Sequence, residues 1–247
     1  LSETDIENSE ATLRARVIPL QTWLDDVEVS AGTMILIRDL TELRDRDRQL
    51  VTKDATIREI HHRVKNNLQT VAALLRLQSR RMKNPDAKEA LRQAMGRVSA
   101  IAVVHEILSQ NFEEQVAFDE VADRILHMVG DVAASSGSVA ARREGSFGSV
   151  PAETATALSL ATTELCQNAI EHSLDSSSGN VIVRPYRTDD SLVVDIVNDG
   201  SPLPEGFSLD QHRSSLGLSI VTTLVQDLGG TFTLENNPDG VGTCAKL

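Results

Sequence analysis

Residues 58–69 read REIHHRVKNNLQ and lie inside a stretch, 40–82, that contains neither proline nor glycine. Apolar residues recur through this stretch with heptad-like spacing. One series is Leu43, Leu50, Ile57, Val64 and Val71, and the offset series includes Leu40, His61, Leu68, Leu75 and Met82. This spacing predicts one long amphipathic helix with a seam for packing against other helices.

The two adjacent histidines fall on different faces of that helix. His61 belongs to the seam, whereas His62 lies about 100° further round, beside charged and amide side chains. A nucleophile must reach solvent and substrate, so His62 is the better candidate for chemistry. On spacing alone, a solvated surface histidine is an equally good interpretation of His62.

A second amphipathic helix is predicted over 87–109. The turn Asn84-Pro85-Asp86 precedes it, with Pro85 ending the first helix and Asp86 capping the second. Two such helices form an antiparallel hairpin, which buries little apolar surface alone. Residues 40–110 are therefore predicted to form a homodimer through a four-helix bundle.

The regions on either side of the hairpin differ from it. Strand-like segments at 14–23 and 32–39 suggest that 1–39 is the C-terminal remnant of a small sheet domain; a self-contained hairpin cap is the alternative. Residues 111–247 mix helical and strand patterns and predict an α+β sandwich with one mixed sheet and helices on one face. Its predicted helices are 116–135, 151–174 and 216–228, and its predicted strands are 138–145, 179–187, 191–199, 230–237 and 242–247.

Composition limits the function classes. The 247 residues are 40% hydrophobic and carry a net charge of −12, which argues against direct nucleic-acid binding. The charge is uneven: residues 1–110 carry 17 basic and 16 acidic residues, whereas 111–247 carry 7 and 20. No apolar run is long enough for a membrane segment, and the two cysteines predict free thiols in a cytoplasmic protein.

A polar face is predicted on the helix ATTELCQNAIEHS (161–173), where Glu164, Asn168 and His172 are spaced four apart. Asn offers a neutral oxygen to a hard cation, and Glu can hold a water molecule or a neighbouring ligand. A buried capping network is the alternative interpretation.

Three glycine-containing segments follow this helix. Asn198-Asp199-Gly200 ends a predicted strand, Gly217 opens a helix whose N-terminus favours phosphate, and Gly242-Thr243 begins the last strand. Each segment alone is a weak signal. Their order after the Glu164/Asn168 helix is more specific.

The series resembles the ATP-binding domain shared by sensor histidine kinases, DNA gyrase B and Hsp90. REIHHRVKNNLQ is similar to the phosphoacceptor box of histidine kinases that carry H-R-x-K-N-N, and IRDLTEL (37–43) resembles the junction that ends a PAS domain. The resemblance implies a GHKL-type sandwich over 111–247 and a PAS-like remnant over 1–39. It also implies ATP and Mg²⁺ as cofactors, and the receiver domain of a response regulator as partner.

The resemblance also assigns residues. It makes His62 the phosphoacceptor, Glu164 a catalytic residue and Asn168 the magnesium ligand. The implied nucleotide-binding residues are Asn168, His172, Asn198, Asp199, Gly200, Gly217, Leu218, Gly242 and Thr243.

The sequence departs from the family's glycine boxes at three positions, and Arg63 stands where an acid often follows the phosphoacceptor. Asn198 replaces the usual Asp of the first glycine box, Pro202 replaces its second Gly, and Ser215 replaces the first Gly of the second box. These changes predict modest ATP affinity and poor discrimination against GTP. Two alternatives stay open: a dimeric pseudokinase scaffold, and another ATPase or serine kinase of the same fold.

Overall fold

The computed structural model describes residues 2–8, 11–24, 27–110, 115–134, 138–173, 178–188, 191–209 and 216–247. The chain divides into two compact units, Leu1–Ile57 and Arg58–Leu247. This division differs from the predicted boundaries after residues 39 and 110, which stay predictions. The second unit is larger because one hydrophobic core joins the second helix of the hairpin to the mixed sheet and its helices.

The first unit contains a three-stranded antiparallel sheet in the order β1-β2-β3. The strands are β1 (Ser2–Glu7), β2 (Thr12–Leu24) and β3 (Val27–Asp39). The β2 and β3 strands match the prediction, and the sheet is consistent with a PAS-like part. The β1 strand was missed because its segment contains one apolar residue. An ion pair with Arg14 supports it, in which the Arg14 guanidinium donates to Asp5 at 2.7 and 3.0 Å.

The predicted helical pair is present as α1 (Thr41–Arg81) and α2 (Pro85–Gln110). Asn84, and not Asp86, caps α2, because Asn84 Oδ1 accepts the backbone N–H of Asp86 at 2.8 Å. Pro85 is the first residue of α2, where its missing N–H leaves no bond unmade.

The rest of the second unit is an α+β sandwich, as predicted. Its sheet has the order β5-β7-β8-β10-β9; β5 and β7 pair in parallel, and the other neighbours are antiparallel. The strands are β5 (Ser138–Arg143), β7 (Ser178–Arg187), β8 (Leu192–Asn198), β9 (Thr233–Asn236) and β10 (Thr243–Lys246). The helices are α3 (Phe118–Ala134), α4 (Ala152–Asn168) and α5 (Leu216–Asp227).

Two details of this sandwich differ from the sequence prediction. A short antiparallel pair, β4 (Gln115–Ala117) and β6 (Ser149–Pro151), precedes α3 and α4. The α4 helix ends at Asn168 and continues as a π-helical turn over Ala169–Ser173, instead of running as one α-helix to 174. The β4 and β6 strands are each three residues long, too short for an alternating pattern to show, and the sequence around Asn168 gives no signal for a change of helix type.

Within the residues that the structure describes, no helix combines the length and apolar character needed to cross a membrane.

Candidate functional site

The two histidines of α1 have different environments. His62 is exposed to solvent, as expected for a residue off the seam, whereas His61 is half-buried. The Nδ1 atoms of His61 and His105 lie 3.0 Å apart, and the ring centroids are separated by 5.2 Å. Burial lowers the pKa of both rings, and the neighbouring His62 lowers that of His61 further. One neutral ring can therefore donate to the other across the hairpin.

An ion pair lies next to this histidine pair. The Nζ atom of Lys65 on α1 is 2.9 Å from Oε1 of Glu106 on α2, and Arg124 of α3 is 3.2 Å from Oε2 of Glu106. These two cations hold the pKa of Glu106 below its usual range, with Lys65 the larger cause. The pairing fixes the register of α1 against α2 near His62.

The structure brings the α4 residues together with the second glycine segment. A Cβ atom on Gly217 would lie 2.7 Å from Oε2 of Glu164 and within 3.7 Å of the Asn168 amide. Only glycine therefore allows the N-terminal turn of α5 to approach these two side chains this closely. Leu218, the next residue, is buried in the core.

Glu164 itself is almost fully buried, with 3% of its side chain exposed, and it is not free. Arg97 of α2 donates from Nε to Oε1 at 2.7 Å and from Nη2 to Oε2 at 2.8 Å. This bidentate pair raises the pKa of Arg97 against the lowering effect of its burial. The carboxylate that the resemblance makes catalytic is thus paired with Arg97 in this arrangement.

The first and third glycine segments meet at the ends of β8 and β10. Asn198 is 2% exposed; its Nδ2 donates to the Thr243 hydroxyl, and its Oδ1 accepts the Gly200 N–H at 3.0 Å. Gly242 has a positive φ of 101°, and a Cβ atom there would overlap the Asn198 carbonyl. The amide of Asn198 therefore has a fixed orientation, which leaves one Nδ2 hydrogen and one Oδ1 lone pair for a ligand.

Asp199 is engaged elsewhere. Its carboxylate accepts from the backbone N–H of Asn180 at 2.7 Å and from the Asn180 side-chain amide at 2.6 Å. Burial raises the pKa of Asp199, but the bonds from Asn180 outweigh it and hold the pKa below the ordinary value. This arrangement favours Asn198 over Asp199 as the residue available to a base.

Two positions that the sequence analysis named have side chains outside what the structure describes. The backbone of His172 lies in the π-helical turn after α4, but its side chain is outside the described part of the chain, as is Ser215. Sequence reasoning missed Arg97 and Asn180. Their partners lie 67 and 19 residues away, so no local pattern could have indicated them.

The donor set suits a phosphate-bound magnesium ion. Asn168 supplies a neutral amide oxygen, the kind of ligand that hard cations accept, and it borders the space that a side chain on Gly217 would fill. The N-terminal turn of α5 presents backbone N–H groups and a positive dipole end beside that space.

Comparison with known proteins agrees with this arrangement. Residues 59–133 match the family model described as histidine kinase, and residues 153–247 match the model for histidine kinase-, DNA gyrase B- and HSP90-like ATPases. The chain carries the two domains of a histidine kinase. The first match begins at Glu59, three residues before His62, and the second includes all three glycine segments.

The relatives resemble this chain over most of its length. It is 48% identical to the sensor histidine kinase PdtaS of Mycobacterium tuberculosis over 235 residues, which is 94% of this chain and 46% of that protein. Identity to PdtaS of Mycolicibacterium smegmatis is 46% over 96% of this chain and 47% of that protein. The chain thus spans about half the length of these curated relatives. A solved histidine kinase domain from Erythrobacter litoralis EL346 is 25% identical, with a TM-score of 0.55, covering 82% of this chain and 92% of that one.

Proposed function

We propose that this chain is the kinase part of a sensor histidine kinase that phosphorylates its own His62 with ATP. A ring nitrogen of His62 attacks the γ-phosphorus, the bond from that phosphorus to the β,γ-bridging oxygen breaks, and ADP leaves. In a second step, a carboxylate oxygen of an Asp in a response-regulator receiver domain attacks the same phosphorus. The P–N bond then breaks and His62 is regenerated.

One observation carries the proposal: Gly217 at the start of α5 meets Glu164 and Asn168 of α4, while Asn198 and Thr243 meet at the neighbouring strand ends. The N-terminal dipole of α5, the amide oxygen of Asn168 and the space beside Gly217 together form a place for phosphates. The buried polar pair Asn198–Thr243 forms a place for a base edge. The 48% identity to a sensor histidine kinase supports the same assignment.

Magnesium, when bound through Asn168, would supply positive charge that neutralises the phosphate oxygens. Residues 111–247 carry a net charge of −13, so local dipoles and this ion, rather than overall charge, would hold the nucleotide. The chain's own groups orient the substrate: Asn198 at the base, the α5 N-terminus at the phosphates, and the exposed ring of His62 as acceptor.

The proposal includes a homodimer. Several large apolar side chains of α1 remain exposed, although α1 already packs against α2. They are Ile60, Val71, Leu74 and Leu77, which are 43% to 56% exposed. Covering such a stripe with a second hairpin would produce the four-helix bundle that the sequence predicts. Light scattering at micromolar concentration should give about twice the mass of one chain, and a clean monomer would remove the dimer from the proposal.

Incubation with γ-labelled ATP and Mg²⁺ tests the activity. We expect acid-labile, alkali-stable label on the native protein and none on His62→Gln, with both proteins melting at the same temperature. Acid-stable label would instead indicate a serine kinase of the same fold. ATP binding without any label would support neither, and no ATP binding would indicate a pseudokinase scaffold. A cytoplasmic location and transfer to a receiver domain are further parts of the proposal; transfer is tested by adding that domain to labelled protein.

A further inference from the structure

Lys65 lies close to His62 on the surface of α1. The two residues are three apart in the helix, which separates them by about 60° around the axis and by about 4.5 Å along it. Side chains with this spacing are neighbours, with Cβ atoms about 5–6 Å apart. The long side chain of Lys65 can therefore reach a group attached to the exposed ring of His62.

The contact with α2 draws the Lys65 ammonium back toward the level of His62. His61 and His105 meet, so these two residues mark one level of the hairpin. Glu106 follows His105 and lies further from the turn of the hairpin, whereas Lys65 comes four residues after His61 and lies closer to that turn. Because Lys65 Nζ is 2.9 Å from Glu106 Oε1, the ammonium and the carboxylate meet between these two levels. His62 lies in the same interval.

Glu106 holds Lys65 without depending on it alone. Arg124 is 3.2 Å from the other carboxylate oxygen, Oε2, and the Glu106 side chain is 30% exposed. If Lys65 moved away, the Glu106 carboxylate would therefore keep a cationic partner and access to water. The ammonium can leave this pair without stranding a buried charge.

Transfer to His62 brings negative charge to this level of the hairpin. The neighbouring Arg63 is 75% exposed and pairs with Glu59, so water and that carboxylate screen its charge. The Lys65 side chain is only 21% exposed, so its charge acts on a nearby anion with less screening. Lys65 is therefore better placed than Arg63 to stabilise a phosphoryl group on His62.

We propose that Lys65 binds the phosphoryl group as it reaches His62, exchanging its bond to Glu106 for a bond to a phosphoryl oxygen. The inference rests on the proposed function and adds a residue that contacts the transferred group. The bond from phosphorus to the bridging oxygen breaks and the P–N bond forms, as in that reaction. Lys65 stays protonated, and one of its N–H groups turns from the carboxylate to the phosphoryl oxygen.

Two single variants that break the same ion pair separate this role from a structural one. If the pair only fixes the register of the hairpin, Lys65→Gln and Glu106→Gln should slow labelling alike. If Lys65 binds the phosphoryl group, Lys65→Gln should slow initial labelling by about tenfold or more, as expected for a lost hydrogen bond to a charged group. Glu106→Gln frees the ammonium and should label at least as fast as native protein.

The labelling equilibrium is a readout that a structural role would not move. Each protein is incubated with fixed mixtures of γ-labelled ATP and ADP until the labelled fraction is constant. Since Lys65 would stabilise phosphohistidine relative to free histidine, Lys65→Gln should lower the equilibrium constant for labelling by about tenfold or more. Calorimetric titration should show the same ATP affinity in both proteins.

A double variant covers the case in which Lys65→Gln does not fold. Thermal melting shows whether each variant is folded. The double variant Lys65→Gln, Glu106→Gln places two neutral amides opposite each other and differs from Glu106→Gln only at residue 65. Relative to Glu106→Gln, it should show the same loss in labelling rate and in equilibrium constant.

Three results would overturn the proposal. They are a native equilibrium constant in folded Lys65→Gln, equal slowing by the two single variants, and labelling of the double variant that matches Glu106→Gln. In each case native protein labels His62, so the proposed function stands and only the role of Lys65 fails. If native protein acquires no acid-labile label, the proposed function fails and the role of Lys65 fails with it.

Discussion

Replacing Asn198 by aspartate tests whether this side chain reads the nucleotide base. In the structure the Asn198 amide donates to Thr243 and accepts from the Gly200 N–H at 3.0 Å. An aspartate would keep the bond from Gly200 and accept a hydrogen bond from the Thr243 hydroxyl. The substitution therefore leaves no buried group without a partner.

The expected magnitude follows from the burial of the site. Asn198 is 2% exposed, so solvent would screen the new charge weakly. A charge-assisted hydrogen bond is roughly twice as strong as a neutral one of about 1 kcal/mol, so ATP should bind about fivefold more tightly. The carboxylate should repel the O6 carbonyl of guanine, whereas the native amide can donate its second Nδ2 hydrogen to it.

Calorimetric titration of ATP and of GTP into both proteins measures the change. The ATP-over-GTP ratio should be small for the native protein and should widen for Asn198→Asp. Asp199→Asn is the matched control, because Asp199 is held by Asn180 and should not alter the ratio. If native protein already rejects GTP as strongly as the Asn198→Asp variant, or if Asp199→Asn has the larger effect, the assignment of Asn198 to the base is refuted.

Three further changes have definite expected outcomes. His61→Gln should lower the free energy of unfolding by about 1 kcal/mol, because the contact with His105 is lost, and should reduce but not abolish labelling. Denaturant titration measures the change in stability. Abolished labelling with unchanged stability would contradict the assignment of His62. Asn168→Asp should slow labelling while leaving the melting temperature unchanged, because the new aspartate would place an additional negative charge facing the phosphates. An unchanged labelling rate would exclude Asn168 from the site. Burial lowers the folded-state pKa of His61 and His105. Their contribution to the free energy of unfolding is therefore present above the unfolded-state pKa near 6.5, and it is lost as the pH falls through the lower folded-state pKa values. Melting temperatures measured from pH 7.5 to 5.0 should therefore fall more in native protein than in His61→Gln, and parallel curves would contradict this.

The elements of the hairpin and the mixed sheet were predictable because their patterns are local. Helical periodicity over 40–82 and a proline at 85 define α1 and α2 to within a few residues, and alternating apolar residues define β7 and β8. The β1 strand was not predictable in this way. Its segment, SETDIE, is held by pairing with β2 and by ion pairs such as Asp5–Arg14, and neither has a signature in hydrophobic periodicity.

The candidate site was predictable only as a set of positions. Family resemblance indicated Asn168, Asn198, Gly217 and Gly242, and the structure places them in two clusters, Gly217 with Asn168 and Gly242 with Asn198. It could not indicate the state of Glu164, because the partner that occupies its carboxylate, Arg97, comes from a different predicted domain. Contacts between distant segments depend on packing geometry, which a single sequence does not encode locally.

The position of β10 has a consequence for synthesis of the protein. Residues 243–246 form an interior strand between β8 and β9 although they follow β9 in the chain, and the same strand carries Thr243 against Asn198. During translation, β9 cannot join the sheet and the proposed base-binding pair Asn198–Thr243 cannot form until these residues leave the ribosome. Nascent chains that stall before Gly242 should therefore expose an unpaired β8 edge, a template for aggregation, and should be unable to use ATP as a folding ligand.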